Sequence, residues 1–111
     1  LRLKVILHNL ISNALKFCNS AQIENPRVEI SAQRSGNVLE IKVKDNGEGI
    51  RPEIRPRVFD MFVRGSLSSN GSGLGLYISK EAAKKIGATL EVESEFGMGA
   101  TFTITMPLMI N

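Results

Sequence analysis

The chain has few of the residues from which common catalytic and nucleic-acid sites are built. Its 111 residues include no tryptophan, one tyrosine, one histidine (His8) and one cysteine (Cys18). One histidine and one cysteine cannot form a zinc site or the nucleophilic centre of a hydrolase. We therefore interpret His8 as structural or solvent-facing and Cys18 as a small apolar residue near a helix end. With so few aromatic residues and no basic run, the net charge of +3 does not indicate nucleic-acid binding.

The sequence also lacks a long apolar run. No segment approaches the length of a membrane span and no signal peptide is visible, so we expect no membrane contact by this domain. A single cysteine excludes an internal disulfide and fits a reducing compartment, which indicates a cytoplasmic location. The chain begins at Leu1, without a methionine and already in a helical pattern. We therefore interpret residues 1–111 as one domain of a longer protein, whose membrane anchoring elsewhere stays open.

Hydrophobic periodicity predicts two helices, and the position of a proline predicts a third. The apolar residues of 1–17 fall on one broad arc of a helix, and the i, i+4 spacing of 74–86 predicts a second long helix that ends at Gly87. Proline at a first helical position predicts a short helix from Pro52 to near Met61. The polar, glycine-rich residues 63–73 are expected to be mobile.

Four alternating runs predict strands, at residues 28–34, 38–44, 90–96 and 101–106. The first two form a hairpin around Ser35-Gly-Asn37, and Gly97-Met-Gly99 makes the second turn. In the third run the predicted apolar side consists of Leu90, Val92 and Phe96. Because each strand is apolar on one side only, we expect an α+β fold, a two-layer sandwich with a mostly antiparallel sheet and helices packed on one face.

Two short segments hold five of the ten glycines, namely Asp45-Asn-Gly-Glu-Gly-Ile50 at a strand end and Gly71-Ser-Gly-Leu-Gly-Leu76 before a helix. Glycine lets the main chain approach a ligand, and a helix N-terminus offers N–H groups to an anion. A carboxylate such as Asp45 accepts hydrogen bonds from an exocyclic amine. A plain hairpin turn is the alternative for the first segment, although a helix rather than a returning strand follows it. Together the segments suggest a nucleotide site, but neither has the Walker or dinucleotide-binding spacing.

A polar stripe of Asn9, Asn13 and Lys16 borders the apolar arc of the first helix. Amide oxygens are hard ligands that suit Mg²⁺. The alternative is a solvated helix face with incidental asparagines, which the stripe taken alone favours. Arg64 is either a phosphate-binding or a solubilising arginine, whereas Phe59 and Phe62 fit core packing.

Four blocks, taken together, resemble the ATP-binding catalytic domain of sensor histidine kinases, within the GHKL (Bergerat-fold) ATPase superfamily. His8–Phe17 is similar to the N box, Asp45–Ile50 to the first glycine box, Val58–Arg64 to the F box and Gly71–Leu76 to the second glycine box. The resemblance covers nearly the whole chain and implies the Bergerat fold. It also implies Mg²⁺ and ATP as the ligands.

The resemblance assigns a role to each matching position. Asn9, Lys16 and Arg64 would be the catalytic residues at the phosphates, and Asn13 would coordinate Mg²⁺. Asp45 would bind the adenine amino group. The other nucleotide-binding positions would be Phe17, Gly47, Gly49, Ile50, Gly71, Gly73, Leu74, Gly75 and Leu76.

The implied function is to donate the γ-phosphoryl group of ATP to a histidine on a separate dimerisation domain of the same parent protein. A response regulator would then be served indirectly, and the isolated domain would have little activity. A conformational ATPase or a serine-directed protein kinase of the same fold is the alternative. The ATPases carry a glutamate base one turn before the metal asparagine, whereas this chain has Asn9, which cannot take a proton from water at neutral pH. A binding module without catalysis is a third possibility, which the intact glycines and asparagines argue against.

Overall fold

The computed structural model describes residues 2–20, 24–60 and 75–108. The elements in chain order are α1 (Arg2–Ser20), β1 (Val28–Ser35), β2 (Val38–Asp45), a single 3₁₀ turn (Arg55–Arg57), α2 (Gly75–Lys85), β3 (Thr89–Glu95) and β4 (Gly99–Pro107). The four strands form one sheet in the order β1-β2-β4-β3, and every neighbouring pair is antiparallel. Both helices pack on the sheet and against each other. The α+β sandwich predicted from the sequence is therefore confirmed.

The face of α1 that meets the sheet consists of residues four apart. Ile6, Leu10, Ala14 and Cys18 are all buried, as expected for one stripe of an amphipathic helix. The predicted end at residue 17 is wrong, because α1 continues to Ser20. Cys18 extends the buried stripe by another turn, and this burial stabilises helical backbone beyond the predicted end. It also agrees with the interpretation of Cys18 as a small apolar residue.

The hairpin between β1 and β2 has the predicted register. Ile30 pairs with Val43 and Ala32 with Ile41, so the apolar residues of the two strands lie on the same face. Val43 is fully buried whereas Ile30 is half exposed. The core therefore lies over β2, β4 and β3, and the outer strand β1 is less covered.

The short helix predicted from Pro52 to Met61 is wrong within the residues that the structure describes. The amide of Arg55 donates to the Arg51 carbonyl at 3.0 Å, which is one α-helical bond. The next bond would need an amide hydrogen at residue 56, and Pro56 has none. The chain instead forms one 3₁₀ turn at Arg55–Arg57.

Phe59 connects the segment around the 3₁₀ turn to the core. This agrees with its interpretation from the sequence as a core residue. Its ring meets that of Phe102 edge to face, with the ring centroids 6.1 Å apart and an interplanar angle of 78°. The Lys80 ammonium lies 5.2 Å from the Phe59 ring centroid and donates to the Leu90 carbonyl at 2.9 Å. These contacts fix α2 against β3 and the turn segment.

The end of α2 follows the sequence prediction. The amide of Ala88 donates to the Ala83 carbonyl at 2.9 Å and that of Gly87 donates to the Lys84 carbonyl at 3.2 Å. This pair of bonds is a Schellman motif with glycine after the last helical turn.

Among the described residues, no helix is long and apolar enough to cross a membrane.

The third strand differs from its prediction at one end. Phe96, which was predicted on the apolar side, lies beyond β3 in the turn and is 53% exposed. Ser94 takes the corresponding position of the strand, and it is half-buried. The alternation Leu90, Val92, Ser94 therefore places a hydroxyl group at the end of the sheet, next to the start of β4.

Gly99 gives a test of how closely the chain is packed at this end of the sheet. It has φ +108°, and a Cβ there would collide with the Asp45 carbonyl oxygen, whereas Gly97 has φ +93° with no described atom within 4 Å of its Cβ position. Gly97→Ala therefore adds backbone strain alone, of about 1–3 kcal/mol. We expect Gly99→Ala to lower the unfolding free energy by about 1–3 kcal/mol more than Gly97→Ala does, because its Cβ also overpacks the contact with Asp45. Urea denaturation of both variants measures the difference, and equal losses would contradict the close contact.

Candidate functional site

Asp45 is the last residue of β2, and its carboxyl group is almost completely buried, with the residue 2% exposed. The Gly47 amide donates to Oδ1 at 2.9 Å. Oδ2 is also buried but has no hydrogen-bond partner among the described residues. Burial raises the pKa of this carboxyl group, and hydrogen bonds from the Gly47 and Ala100 backbone amides only partly oppose that effect. Since buried polar atoms in native proteins nearly always have partners, Oδ2 is an acceptor suited to a ligand.

The Asp45–Ile50 loop (residues 45–50) packs against the turn between β3 and β4. The two segments are so close that Gly49 has no space for a side chain. Gly49 has φ +77°, and a Cβ at this position would lie 2.6 Å from the Glu95 carbonyl oxygen and 3.1 Å from the Phe96 Cα. The sequence predicts that this glycine makes room for a ligand. In the structure it has a packing reason within the chain itself.

Ser94 is a residue of this site that sequence analysis missed. The Ile50 amide donates to its hydroxyl oxygen at 2.7 Å, and the hydroxyl donates to the Gly99 carbonyl at 3.1 Å. The sequence gives one indication of its position: Ser94 follows Leu90 and Val92 on the same side of the alternating strand. The series predicts that residue 94 faces inward, but it does not identify the partner.

Asn46 is a second missed residue, and it connects three segments. Its Oδ1 accepts from the Arg27 amide at 2.7 Å, and its Nδ2 donates to the Asn25 carbonyl at 2.7 Å. The Cys18 thiol lies 3.6 Å from the same Oδ1. The end of α1 therefore contacts the loop that carries Asp45. Asparagine is common in turns, which is a signal for the loop at Asn46 and not for these distant partners.

Asn9 connects α1 to the beginning of α2. Its Nδ2 donates to the Gly75 carbonyl at 3.4 Å, and Ser79 Oγ donates to the same carbonyl at 2.9 Å. Space is open around Gly75, while Leu76 is buried in the core. The first turn of α2 contains no acidic residue. The N–H groups of this turn, which have no acceptor within the helix, are therefore not opposed by a carboxylate of the same turn.

Asn13 lies one turn after Asn9 on α1, and the side-chain amides of these two residues differ in their bonding. The Nδ2 atom of Asn13 is buried without a hydrogen-bond partner among the described residues. Lys16, one turn further, is exposed. No group of three or more His, Cys, Asp or Glu side chains within the described residues could hold a metal ion.

The structure thus places Asn9 beside Gly75 and joins the end of α1 to the Asp45–Ile50 loop. Several predicted positions lie outside the described residues: Arg64, Gly71, Gly73 and Leu74, together with the predicted mobility of 63–73 and the core packing of Phe62. Phe17 lies in α1, but its side chain is not among those that the structure describes.

The geometry agrees with the comparison to known families. A family model described as "Histidine kinase-, DNA gyrase B-, and HSP90-like ATPase" matches residues 1–110, and the chain belongs to this family. Histidine protein kinase SaeS of Staphylococcus epidermidis is 43% identical over 107 residues, which cover 91% of this chain and 29% of that protein. The chain spans between about a fifth and a third of the length of the curated relatives that it matches.

Two solved structures have the same fold at more than 30% identity. The mycobacterial sensor histidine kinase MprB has a TM-score of 0.80 and 31% identity, over 96% of this chain and 72% of that one. Full-length ShkA, solved in complex with AMPPNP, has a TM-score of 0.82 and 32% identity, over 99% of this chain and 22% of that one.

The raised pKa of Asp45 predicts a pH-dependent loss of stability in the ligand-free chain. The unfolded carboxyl group ionises at its ordinary pKa and the folded one at a higher pKa, so the folded state binds more protons between these values. The unfolding free energy should therefore fall as pH rises through that window, and the whole penalty is present above the folded pKa. Asp45→Asn removes this dependence.

Urea denaturation at about pH 4, near the ordinary Asp pKa, and at about pH 7 tests this expectation. The stability of the wild-type chain relative to Asp45→Asn should decrease from the lower pH to the higher one. Asp60→Asn, at an exposed aspartate, is the control. A relative stability that rises with pH would show that the pKa of Asp45 is lowered.

Proposed function

We propose that this chain is the catalytic domain of a protein-histidine kinase, which binds Mg-ATP and donates the γ-phosphoryl group to a histidine. The single observation that carries the proposal is the buried Asp45 carboxylate, whose Oδ2 has no hydrogen-bond partner within the described residues. Family membership supports ATP as the ligand. The ShkA structure, whose title names a bound AMPPNP, supports the same ligand class.

At the base end of the nucleotide, Asp45 Oδ2 would accept a hydrogen bond from the adenine amino group. The Gly47 amide holds the other carboxylate oxygen at 2.9 Å, so the side chain is oriented before the ligand arrives. Buried Ile50, at the end of the loop, would contribute an apolar wall. A guanine base carries an oxygen instead of the amino group, so an ionised Asp45 would repel it.

At the phosphate end, the residues present fit a magnesium–triphosphate ligand. Within the described residues the buried Nδ2 donor of Asn13 has no acceptor, so it would donate to a phosphate oxygen, and the oxygen of the same amide is a hard ligand of the kind that Mg²⁺ accepts. Mg²⁺ commonly takes its other ligands from water and phosphates, so no carboxylate cluster is needed. The free N–H groups at the start of α2 would bind phosphate oxygens, with Asn9 and exposed Lys16 beside them. The bound metal would neutralise charge on the transferred group.

Asn9 favours phosphoryl transfer over hydrolysis. In the described structure its amide donates to the Gly75 carbonyl, and a neutral amide cannot act as a general base for water. A conformational ATPase is therefore the weaker alternative. The acceptor histidine would lie on a separate dimerisation domain of the parent protein, with a response regulator acting next. We assign the domain to the cytoplasm, where ATP and such partners are found.

The base assignment predicts a change in nucleotide preference. Asp45→Asn replaces an acceptor oxygen by an amide that also donates, so ATP should bind more weakly by about 1–3 kcal/mol, roughly 5- to 150-fold. GTP should lose less affinity or gain some, because the amide can donate to the guanine oxygen. Isothermal titration with both nucleotides measures the two changes, and Asp60→Asn is the control. Equal losses for ATP and GTP would contradict the assignment.

The transfer reaction is tested with γ-labelled ATP, Mg²⁺ and the histidine-containing dimerisation domain of the parent protein. We expect label on that domain in an acid-labile form, as phosphohistidine requires, and slow release of phosphate to water. Asn13→Ala should reduce labelling by roughly 10-fold or more, whereas Ser12→Ala, the neighbouring half-buried polar residue, should not. Acid-stable label on serine, or rapid hydrolysis without label, would exclude the histidine kinase assignment.

A further inference from the structure

The hydroxyl group of Ser94 makes two hydrogen bonds that join the Asp45–Ile50 loop to the β3–β4 hairpin. It accepts from the Ile50 amide at 2.7 Å and donates to the Gly99 carbonyl at 3.1 Å. A hydroxyl group has one donor and can accept as well, so one side chain serves both backbone groups. Residues 94 and 50 are separated by 44 positions in the sequence. The bond is therefore a tertiary link and not part of a local turn.

The same hairpin contacts the loop at two further points. The Gly97 amide donates to the Glu48 carbonyl at 2.6 Å. Gly49 approaches the Glu95 carbonyl so closely that no Cβ fits between them. These are backbone contacts, whereas Ser94 contributes a side chain. Ser94 can therefore be changed while the backbone atoms of the other contacts are retained.

The second bond of Ser94 leads to Asp45. Gly99, whose carbonyl accepts from Ser94, lies against the Asp45 carbonyl and the Asn46 Cα with no room for a Cβ. Ala100, the next residue of β4, pairs with Asp45 in the sheet. One hydroxyl group thus holds the end of the loop at Ile50 directly and its beginning at Asp45 through Gly99 and Ala100.

We propose that Ser94 is a positioning residue for base recognition, which fixes the direction of Asp45 Oδ2 by holding both ends of the Asp45–Ile50 loop. The proposal rests on the proposed function, because it assumes that Asp45 binds the adenine amino group. Ser94 itself does not touch the nucleotide in this account. It acts by limiting the conformations of the loop before the ligand binds, which lowers the cost of ordering the site.

The proposal predicts that Ser94→Ala lowers the preference for ATP over GTP. The variant leaves the Ile50 amide and the Gly99 carbonyl without their common partner, so the loop and Asp45 gain freedom. We expect the ratio of the GTP and ATP dissociation constants to fall about 3- to 10-fold, the effect of losing one neutral hydrogen bond. Ser94→Thr keeps the hydroxyl group and suits a strand, so it should retain the wild-type ratio.

The ratio is measured by isothermal titration of the chain with Mg-ATP and Mg-GTP, alongside urea denaturation of each variant. A loss of folded protein alone does not change the ratio, because both nucleotides titrate the same folded population. Thr103→Ala is the matched control, since it removes a half-buried hydroxyl group from β4 at a position away from the loop. It should keep the wild-type ratio whatever its stability.

Each outcome distinguishes this proposal from the proposed function. A reduced ratio in Ser94→Ala with a retained ratio in Ser94→Thr supports the proposal. A wild-type ratio in Ser94→Ala, together with a lost preference in Asp45→Asn, overturns the role of Ser94 and leaves the base assignment intact. Equal reductions in Ser94→Ala, Ser94→Thr and Thr103→Ala overturn it as well, since packing would then explain the effect. No preference change in Asp45→Asn overturns both.

Discussion

One buried carboxylate oxygen, without a hydrogen-bond partner in the part of the chain that the structure describes, is the constraint on which this end of the molecule depends. Asp45 terminates a strand inside the sheet, next to β4, and within the described residues the Gly47 amide satisfies only one oxygen of its carboxyl group. Desolvation penalises the ionised form, as the raised pKa shows. A folded chain retains such an arrangement only if the surrounding structure is held firmly. Here the adjacent loop and the hairpin hold each other.

The glycines at this end of the sheet show how that firmness is reached. Gly49 and Gly99 each lie where a Cβ would collide with backbone atoms of the opposing segment. Two chain segments without side chains at the contact can approach until only backbone separates them. Gly49, which suggests ligand binding in the sequence, therefore also has a packing role within the chain itself. A ligand site that is rigid before binding loses less free energy on ordering, so both purposes act in the same direction.

Local patterns predicted the elements of this fold well, whereas tertiary contacts limited the prediction of the site. Alternation identified the four strands and the hairpin register, and Gly87 gave the end of α2. The helix at Pro52 was a local error, because Pro56 carried the opposing signal and the prediction ignored it. Ser94 and Asn46 were missed for another reason: their partners lie 44 and about 20 positions away. A propensity or a period contains no information about such partners.

The two asparagines of α1 show how the structure separates residues that the sequence treats alike. Asn9 already has a partner, since its amide donates to the first carbonyl of α2, whereas the buried Nδ2 of Asn13 has none among the residues that the structure describes. The Asn9 bond is long at 3.4 Å, and long hydrogen bonds are weak. A phosphate oxygen near the start of α2 would therefore displace it at small cost, and a phosphate oxygen would also give the Asn13 Nδ2 donor an acceptor. In the proposed kinase, Asn9 keeps α1 and the start of α2 in register until the nucleotide arrives. Asn13 is then already in place for the metal that accompanies the phosphates.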